Sequence, residues 1–213
     1  FLNKKVNLRN IKPRQALNHP NWKMGKKISI DSSNMMNKIF EFIEAKKIFN
    51  LCNKDIEILI HPTSYIHAIV FFKLNLIKFL AHDANMIIPI ANALGIDSKI
   101  NKKNIFKNLS KMNNLDFQKP NLKKFPLLEI LKLIPENTSY FETILVTLND
   151  ELVSKYLSGK INYLSIQKNL LKLIKNPYFK SYYNLKPKNI YDIKNMIKLT
   201  KNYLNDKLVI YEK

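Results

Sequence analysis

The sequence predicts an α+β chain: a small mixed sheet flanked by helices over residues 1–95, a linker over 96–125, and a C-terminal α-helical bundle over 126–213. Three observations lead there. Met36, Ile39, Phe40 and Ile43 repeat at i, i+3, i+4 and i+7, the pattern of a helix with one buried stripe. Three short apolar runs follow, Asp55 to His61, Tyr65 to Phe72 and Leu74 to Ala81, and the first alternates through Ile56, Ile58 and Ile60 as a half-buried strand does. From Pro126 onward the spacing turns helical, with one-sided stripes and short connections that suit an antiparallel bundle.

Bulk properties bound the reading. A chain of 213 residues can bury one good core, or a core plus a small helical appendage. Its 46% apolar and 24% charged content is ordinary for a globular protein. No run approaches the roughly 18 apolar residues of a membrane helix, so no membrane partner is expected. Cys52 is alone, which excludes a disulfide framework within the chain and suits a reducing cytoplasm. The chain starts at Phe1 rather than Met, and an N-terminal portion is expected to be missing.

The net charge of +20 raises nucleic-acid binding as a function class. Lys and Arg number 15 against 7 acidic residues in 1–100, and 21 against 9 in 101–213, so the excess is spread rather than gathered into an arm. Only Arg9 and Arg14 are arginines, although arginine is the better bidentate reader of phosphates and guanines. Lys, Asn and Ile abundance fits a genome biased toward A and T, and nucleic acid is not the expected partner.

Taken in order, residues 1–15 read as an irregular entry with a helical turn after Pro13. Residues 16–26 form a polar loop holding His19, Trp22, Met24 and Gly25. A rigid aromatic, a flexible thioether and a glycine hinge could close over a ligand and exclude water. On pattern alone, Trp22 fits better as a plug at a core edge, since Trp is highly buried on average. Lys27 to Ser32 reads as a short strand, and the helix of Met36 to Glu44 follows it.

Ser32 and Ser33 are expected where that helix begins, and a helix start carries unpaired N–H groups that suit a phosphate. Lys38 can reach back toward the anion, while Asn37, Lys38 and Glu41 crowd one face at spacings of three and four. Glu41 stands nine residues past Ser32, about 13 Å along a helix axis. That span fits a short sugar phosphate.

After the central helix, Asn75 suggests a hairpin between the second and third runs, and Pro89 to Leu94 reads as a short helix ended by Gly95. His61 and His67 have an ordinary reading as hydrogen-bonded residues at a sheet edge, stronger for His61. The four His and one Cys have no zinc spacing. With 3 Gly in all there is no dinucleotide fingerprint. The linker carries one extended piece near Leu115 to Phe117. Pro126 opens a helical segment, Phe141 to Leu157 is one helix closed by Gly159 unless Asn149 caps a shorter one, Tyr163 to Ile174 stops before Pro177, and Ile190 to Leu204 is a last long helix.

Several of these stretches carry a resemblance to a known family. Leu17-Asn18-His19-Pro20-Asn21-Trp22 with Met24-Gly25, Asp31-Ser32 with Met35-Met36-Asn37-Lys38, Glu41, and Ile43-Glu44-Ala45 form its densest part. Ile60-His61-Pro62, Ser64, Ile66-His67 and Pro89-Ile90-Ala91 continue it, and Leu148-Asn149 with Glu151 match more weakly. Together they resemble 1-deoxy-D-xylulose 5-phosphate reductoisomerase, an enzyme of non-mevalonate isoprenoid biosynthesis. The resemblance implies that residues 1–95 are a partial catalytic domain with 16–26 as a mobile lid, which reverses the plug reading of Trp22.

It further implies that Ser32, Asn37 and Lys38 hold the substrate phosphate and that His19 lies over the substrate. Glu41 binds a divalent metal, Mg²⁺ or Mn²⁺, and contacts substrate; with Lys38 it is the expected catalytic pair. Gly25 lies near the nicotinamide of NADPH, and the family enzyme is a homodimer. The family's NADPH-binding domain and its other metal carboxylates are expected to be absent, so the chain alone is expected to be inactive. The family's Gly- and Pro-containing segment before Met86 reads His82-Asp83-Ala84-Asn85 here. Two alternatives remain at this point: a non-catalytic remnant that binds sugar phosphate or dimerises, and a basic nucleic-acid-binding protein.

Overall fold

A computed structural model describes residues 11–16, 25–96, 109–113 and 115–208. It is mostly helical. After a turn of helix at Pro13–Ala16 (α1) come α2, Lys26–Ser33, and α3, Met36–Phe49. The strands Ile66–Phe71 (β1) and Ile77–Ala81 (β2) form a hairpin, followed by α4 at Ile87–Ala93. A 3-10 helix at Pro126–Leu133 leads into α5, Phe141–Leu157, α6, Tyr163–Ile174, the short α7, Pro177–Lys180, and α8, Ile190–Leu208.

The helices α5 and α6 have the bounds expected for them. Gly159, at φ +76°, lies just beyond α5, and the Asn162 side chain accepts the Ser165 N–H at 2.9 Å to start α6. Asn149 lies inside α5 and does not end it. Pro126 does stand at the first helical position, but the segment winds as a 3-10 helix. The helix α5 packs against both α6 and α8.

The N-terminal half departs from expectation in three places. Lys27 to Ser32 is helix, not strand. The pair Ile28 and Ile30 looks alternating, yet the buried residues are the consecutive Ser29, Ile30 and Asp31, while Ile28 is 40% exposed. The Ser29 N–H and hydroxyl both donate to the Gly25 carbonyl, at 3.1 and 3.0 Å, which closes the first helical turn. In α3, Phe42 is buried beside Met36, Ile39 and Ile43, and Phe40 is only partly covered, so the buried face is turned from the expected stripe. Residues 56–60 are extended with Ile56, Ile58 and Ile60 against the core, but among the described residues only Ile60 finds a ladder partner, in Gln118.

Among the described residues the sheet is therefore a two-stranded antiparallel hairpin and not a mixed sheet. Its turn holds Leu74 and Asn75 at positive φ, with Leu74 fully exposed at the tip. Most of the hairpin is exposed, including Val70, Phe71, Ile77, Phe79 and Leu80. The linker segment folds back on it: the Phe117 ring lies 5.0 Å from His61 and 6.5 Å from Phe79, and Lys111 pairs with Asp83.

One buried core joins α2 and α3 to the C-terminal helices, running through Ile30, Met36 and Ile39 to Leu127, Ile144, Leu148, Ile166 and Leu204. The far end of α3 is pinned by Lys46, whose ammonium donates to Asn53 Oδ1 and the Pro135 carbonyl at 2.6 Å each and to Glu136 at 3.1 Å. Three acceptors use all three ammonium donors, which lets this lysine be buried. Cys52 is exposed beside that joint. Among the described residues, no helix is long and apolar enough to cross a membrane.

Candidate functional site

The helix α3 does bring Asn37, Lys38 and Glu41 together. Asn37 Nδ2 donates to one Glu41 oxygen at 2.6 Å and Lys38 Nζ to the other at 2.5 Å. The Lys38 and Glu41 side chains are each nearly half exposed, so the group stands open to a ligand. It combines an amide donor, a mobile cation and a carboxylate on one helical turn. An arriving anion can take Lys38 from Glu41, and the freed carboxylate can then accept from a hydroxyl or face a cation.

Ser32 is placed differently. It lies in the last turn of α2, and the turn Asn34–Met35 separates it from α3. The expected single axis from Ser32 to Glu41 is thus broken. Among the described residues, no hydrogen bond joins the Ser32 hydroxyl to the Asn37–Lys38–Glu41 group. The α3 start is held instead by Asn34, fully buried, whose side chain accepts the Met36 N–H at 2.9 Å, while Met35 adopts φ +69°. Ser33 donates its one proton to the Ile30 carbonyl at 2.7 Å, so the Tyr163 hydroxyl, also 2.7 Å away, donates to Ser33. Burial pushes the Tyr163 phenol up to about 12, so it stays a neutral donor.

Gly25 precedes α2 at φ −60°, a conformation open to any residue, and a Cβ there would meet nothing within 4 Å. The backbone at Gly25 is exposed and unhindered, but its present conformation does not require glycine. His19, Trp22 and Met24 lie outside the described residues, as does the lid apart from Ala16, Gly25 and Lys26.

His67 is the residue that spacing alone left aside. Its ring stacks on His82 with centroids 3.7 Å apart, and Nε2 donates to the His82 carbonyl at 3.0 Å. Burial holds it below the usual histidine range; the His82 carbonyl and the Glu41 charge pull it up, and His82 and Lys38 push it down. His67 thus shares the electrostatic surroundings of Lys38 and Glu41. His67 and Glu41 stand far apart in sequence, so no local period encodes this. His61 matches its ordinary reading, held by the Asp116 carbonyl at 3.0 Å and Thr63 at 2.7 Å.

A divalent metal was expected at Glu41. Among the described residues, no three His, Cys, Asp or Glu side chains gather to hold one. Glu41 offers one carboxylate, and both its oxygens are engaged. The described residues alone therefore do not complete a Mg²⁺ or Mn²⁺ site.

The family model described as the DXP reductoisomerase C-terminal domain matches residues 82–203, and that described as the 1-deoxy-D-xylulose 5-phosphate reductoisomerase C-terminal domain matches residues 1–49. The 1-deoxy-D-xylulose 5-phosphate reductoisomerase of Pelagibacter ubique is 50% identical over 190 residues, covering 88% of this chain and 48% of that protein. The enzyme of the same name from Persephonella marina is 42% identical over 167 residues, covering 76% and 44%.

Among solved structures, a DOX-P reductoisomerase crystallised with NADPH, fosmidomycin and magnesium superposes with a TM-score of 0.87 at 28% identity, over 100% of this chain and 53% of that one. The Zymomonas mobilis enzyme with NADPH gives 0.75 at 27%, over 91% and 48%. The chain spans about half the length of the relatives it matches. With a matched family segment covering more than half its residues and a fold shared along its whole length, this chain belongs to the 1-deoxy-D-xylulose 5-phosphate reductoisomerase family.

Proposed function

We propose that this chain supplies the substrate-holding part of an NADPH-dependent reductoisomerase that converts 1-deoxy-D-xylulose 5-phosphate to 2-C-methyl-D-erythritol 4-phosphate. The observation that carries the reading is the convergence of Asn37, Lys38 and Glu41 on one exposed turn of α3, within a segment matched to the family. In this reading Lys38 and Asn37 bind the substrate phosphate, with Ser32 contributing from the end of α2. Lys38 neutralises the anion and Asn37 orients it. His19 lies over the bound substrate and Trp22 and Met24 close the lid.

Glu41 contacts substrate oxygens and serves as one ligand of a Mg²⁺ or Mn²⁺ ion whose other ligands come from outside the described residues. Such an ion, when bound, polarises vicinal oxygens. Gly25 lines the nicotinamide side. The working protein is a homodimer.

The test uses the 213-residue chain and the same chain with a family cofactor-binding domain fused ahead of Phe1. The fused protein is expected to oxidise NADPH when given substrate and Mn²⁺, and the chain alone to show no turnover above a no-enzyme control. A fused, folded protein without turnover that still binds substrate supports the second reading, a non-catalytic sugar-phosphate binder, which the single carboxylate at Glu41 favours. Sedimentation of the fused protein tests the dimer.

A further inference from the structure

Asn149 is a polar residue in an apolar place. It is fully buried in the middle of α5, flanked on its face by the buried Leu145, Leu148, Leu152 and Val153. Burying an amide among such neighbours is unfavourable unless it is hydrogen-bonded, and Asn is a weak helix former. Its Nδ2 donates to Asp31 Oδ1 at 2.9 Å across 118 residues of sequence. An ionised carboxylate can only accept, so the amide nitrogen must face it.

Asp31 is itself 1% exposed, on the last full turn of α2. Its second oxygen takes Lys27 Nζ at 3.1 Å, and Lys27 also reaches Asp150 at 2.9 Å, so the charge buried between α2 and α5 is compensated from the rim. The two partners feel this seam differently. Burial raises the Asp31 carboxyl above its usual range despite Asn149 and Lys27; half-exposed Lys27, although burial lowers it, is held above its usual range by two carboxylates.

A hydrophobic pair would fill this seam without the desolvation cost, and such replacements are often neutral or stabilising. What an apolar pair cannot do is fix rotation. A carboxylate and an amide bond at one angle of α2 about its axis, whereas leucines tolerate several. Ser32 and Ser33 follow Asp31 directly in the same helix, and Asn34 then caps α3. The orientation of α2 is thus handed on, within three residues, to the start of the helix that bears Asn37, Lys38 and Glu41. The Ser33–Tyr163 bond repeats the arrangement from α6.

We propose that Asn149 and Asp31 are a positioning pair, through which the C-terminal bundle sets the α2–α3 turn, and with it Ser32, Asn37 and Lys38, for a phosphate-bearing ligand. The ligand part of this inference rests on the reading of the site given above. Neither residue touches the ligand.

The experiment compares the 213-residue chain with Asn149→Leu/Asp31→Leu and with Asp31→Asn, which keeps the shape and can still bond Asn149. Three quantities are measured: the unfolding temperature, the amide exchange of Lys38 and Ile39, whose N–H groups bond Met35 O at 3.1 and 3.3 Å, and the affinity for inorganic phosphate from shifts of the Ser32–Lys38 amides. The double-leucine variant is expected to melt within a few degrees of the parent. Its Lys38 and Ile39 amides should exchange at least tenfold faster while Leu148 and Leu152 stay protected, and phosphate should bind at least tenfold more weakly. Asp31→Asn should restore slow exchange.

Parent-like exchange and phosphate affinity in a folded double-leucine variant overturn the proposal. If the parent chain gives no phosphate response at all, the reading of the site falls, and the exchange comparison still decides the pair. Should the double variant not fold, Asn149→Ser, which replaces the amide with a hydroxyl too short to reach Asp31, carries the same measurements.

Discussion

Lys38 and Glu41 sit three residues apart on α3, and their replacement should fail in different ways in the fused enzyme. On the proposed reading, Lys38→Ala removes a charge-assisted bond to phosphate, worth about 1.5–3 kcal/mol or roughly ten- to a hundredfold, and both substrate affinity and turnover should drop. On the same reading Glu41→Gln keeps the shape but removes a charge that would face the metal, so turnover should fall and added Mn²⁺ should partly rescue it. Rate measured against Mn²⁺ concentration separates them, and parent-like kinetics in both would remove α3 from the site.

His67 gives a pH signature. Its folded-state value lies below the usual 6.5, so between the two values the unfolded chain binds more protons. Stability should therefore fall as pH drops below about 6.5. His67→Gln should flatten that part of the stability–pH curve, read by urea unfolding at successive pH values. The Asn37–Lys38–Glu41 face was legible because helical spacing fixes it. The nearness of His67 to Glu41 and the Asp31–Asn149 bond were not, since both join residues far apart in sequence.

The helices of the bundle were legible because their ends carry local chemistry: Asn162 as a cap, Gly159 and Pro177 as stops. The helix α2 was not, because two isoleucines two apart fit a strand as well as a helix, and only burial of the consecutive Ser29, Ile30 and Asp31 decides. The expected ladder over residues 56–60 failed for a related reason: one-sided burial produces alternation whether or not a neighbouring strand is present. Two substitutions test the energetics of α5. Leu148→Ala, at a fully buried position, should cost about 2–5 kcal/mol in urea unfolding. Gly159→Ala places a Cβ at φ +76° with open space around it, so backbone strain alone should cost about 1–2 kcal/mol.

Across the whole molecule, the charge of +20 should produce only non-specific attraction to DNA. That affinity should fall steeply with added salt, measured by titration at two salt concentrations, because dispersed lysines act through counterion release. Sequence-selective binding that survives physiological salt would show the charge to be a recognition device. The exposed thiol at the end of α3 has a practical consequence. Cys52 is the chain's single cysteine and stands next to the joint where Lys46, Asn53 and Glu136 tie α3 to the segment leading into α5. A maleimide dye attached there labels each molecule once, without engineering. Its fluorescence anisotropy becomes a built-in gauge of whether that joint stiffens when sugar phosphate is added, as binding at the other end of the helix would predict.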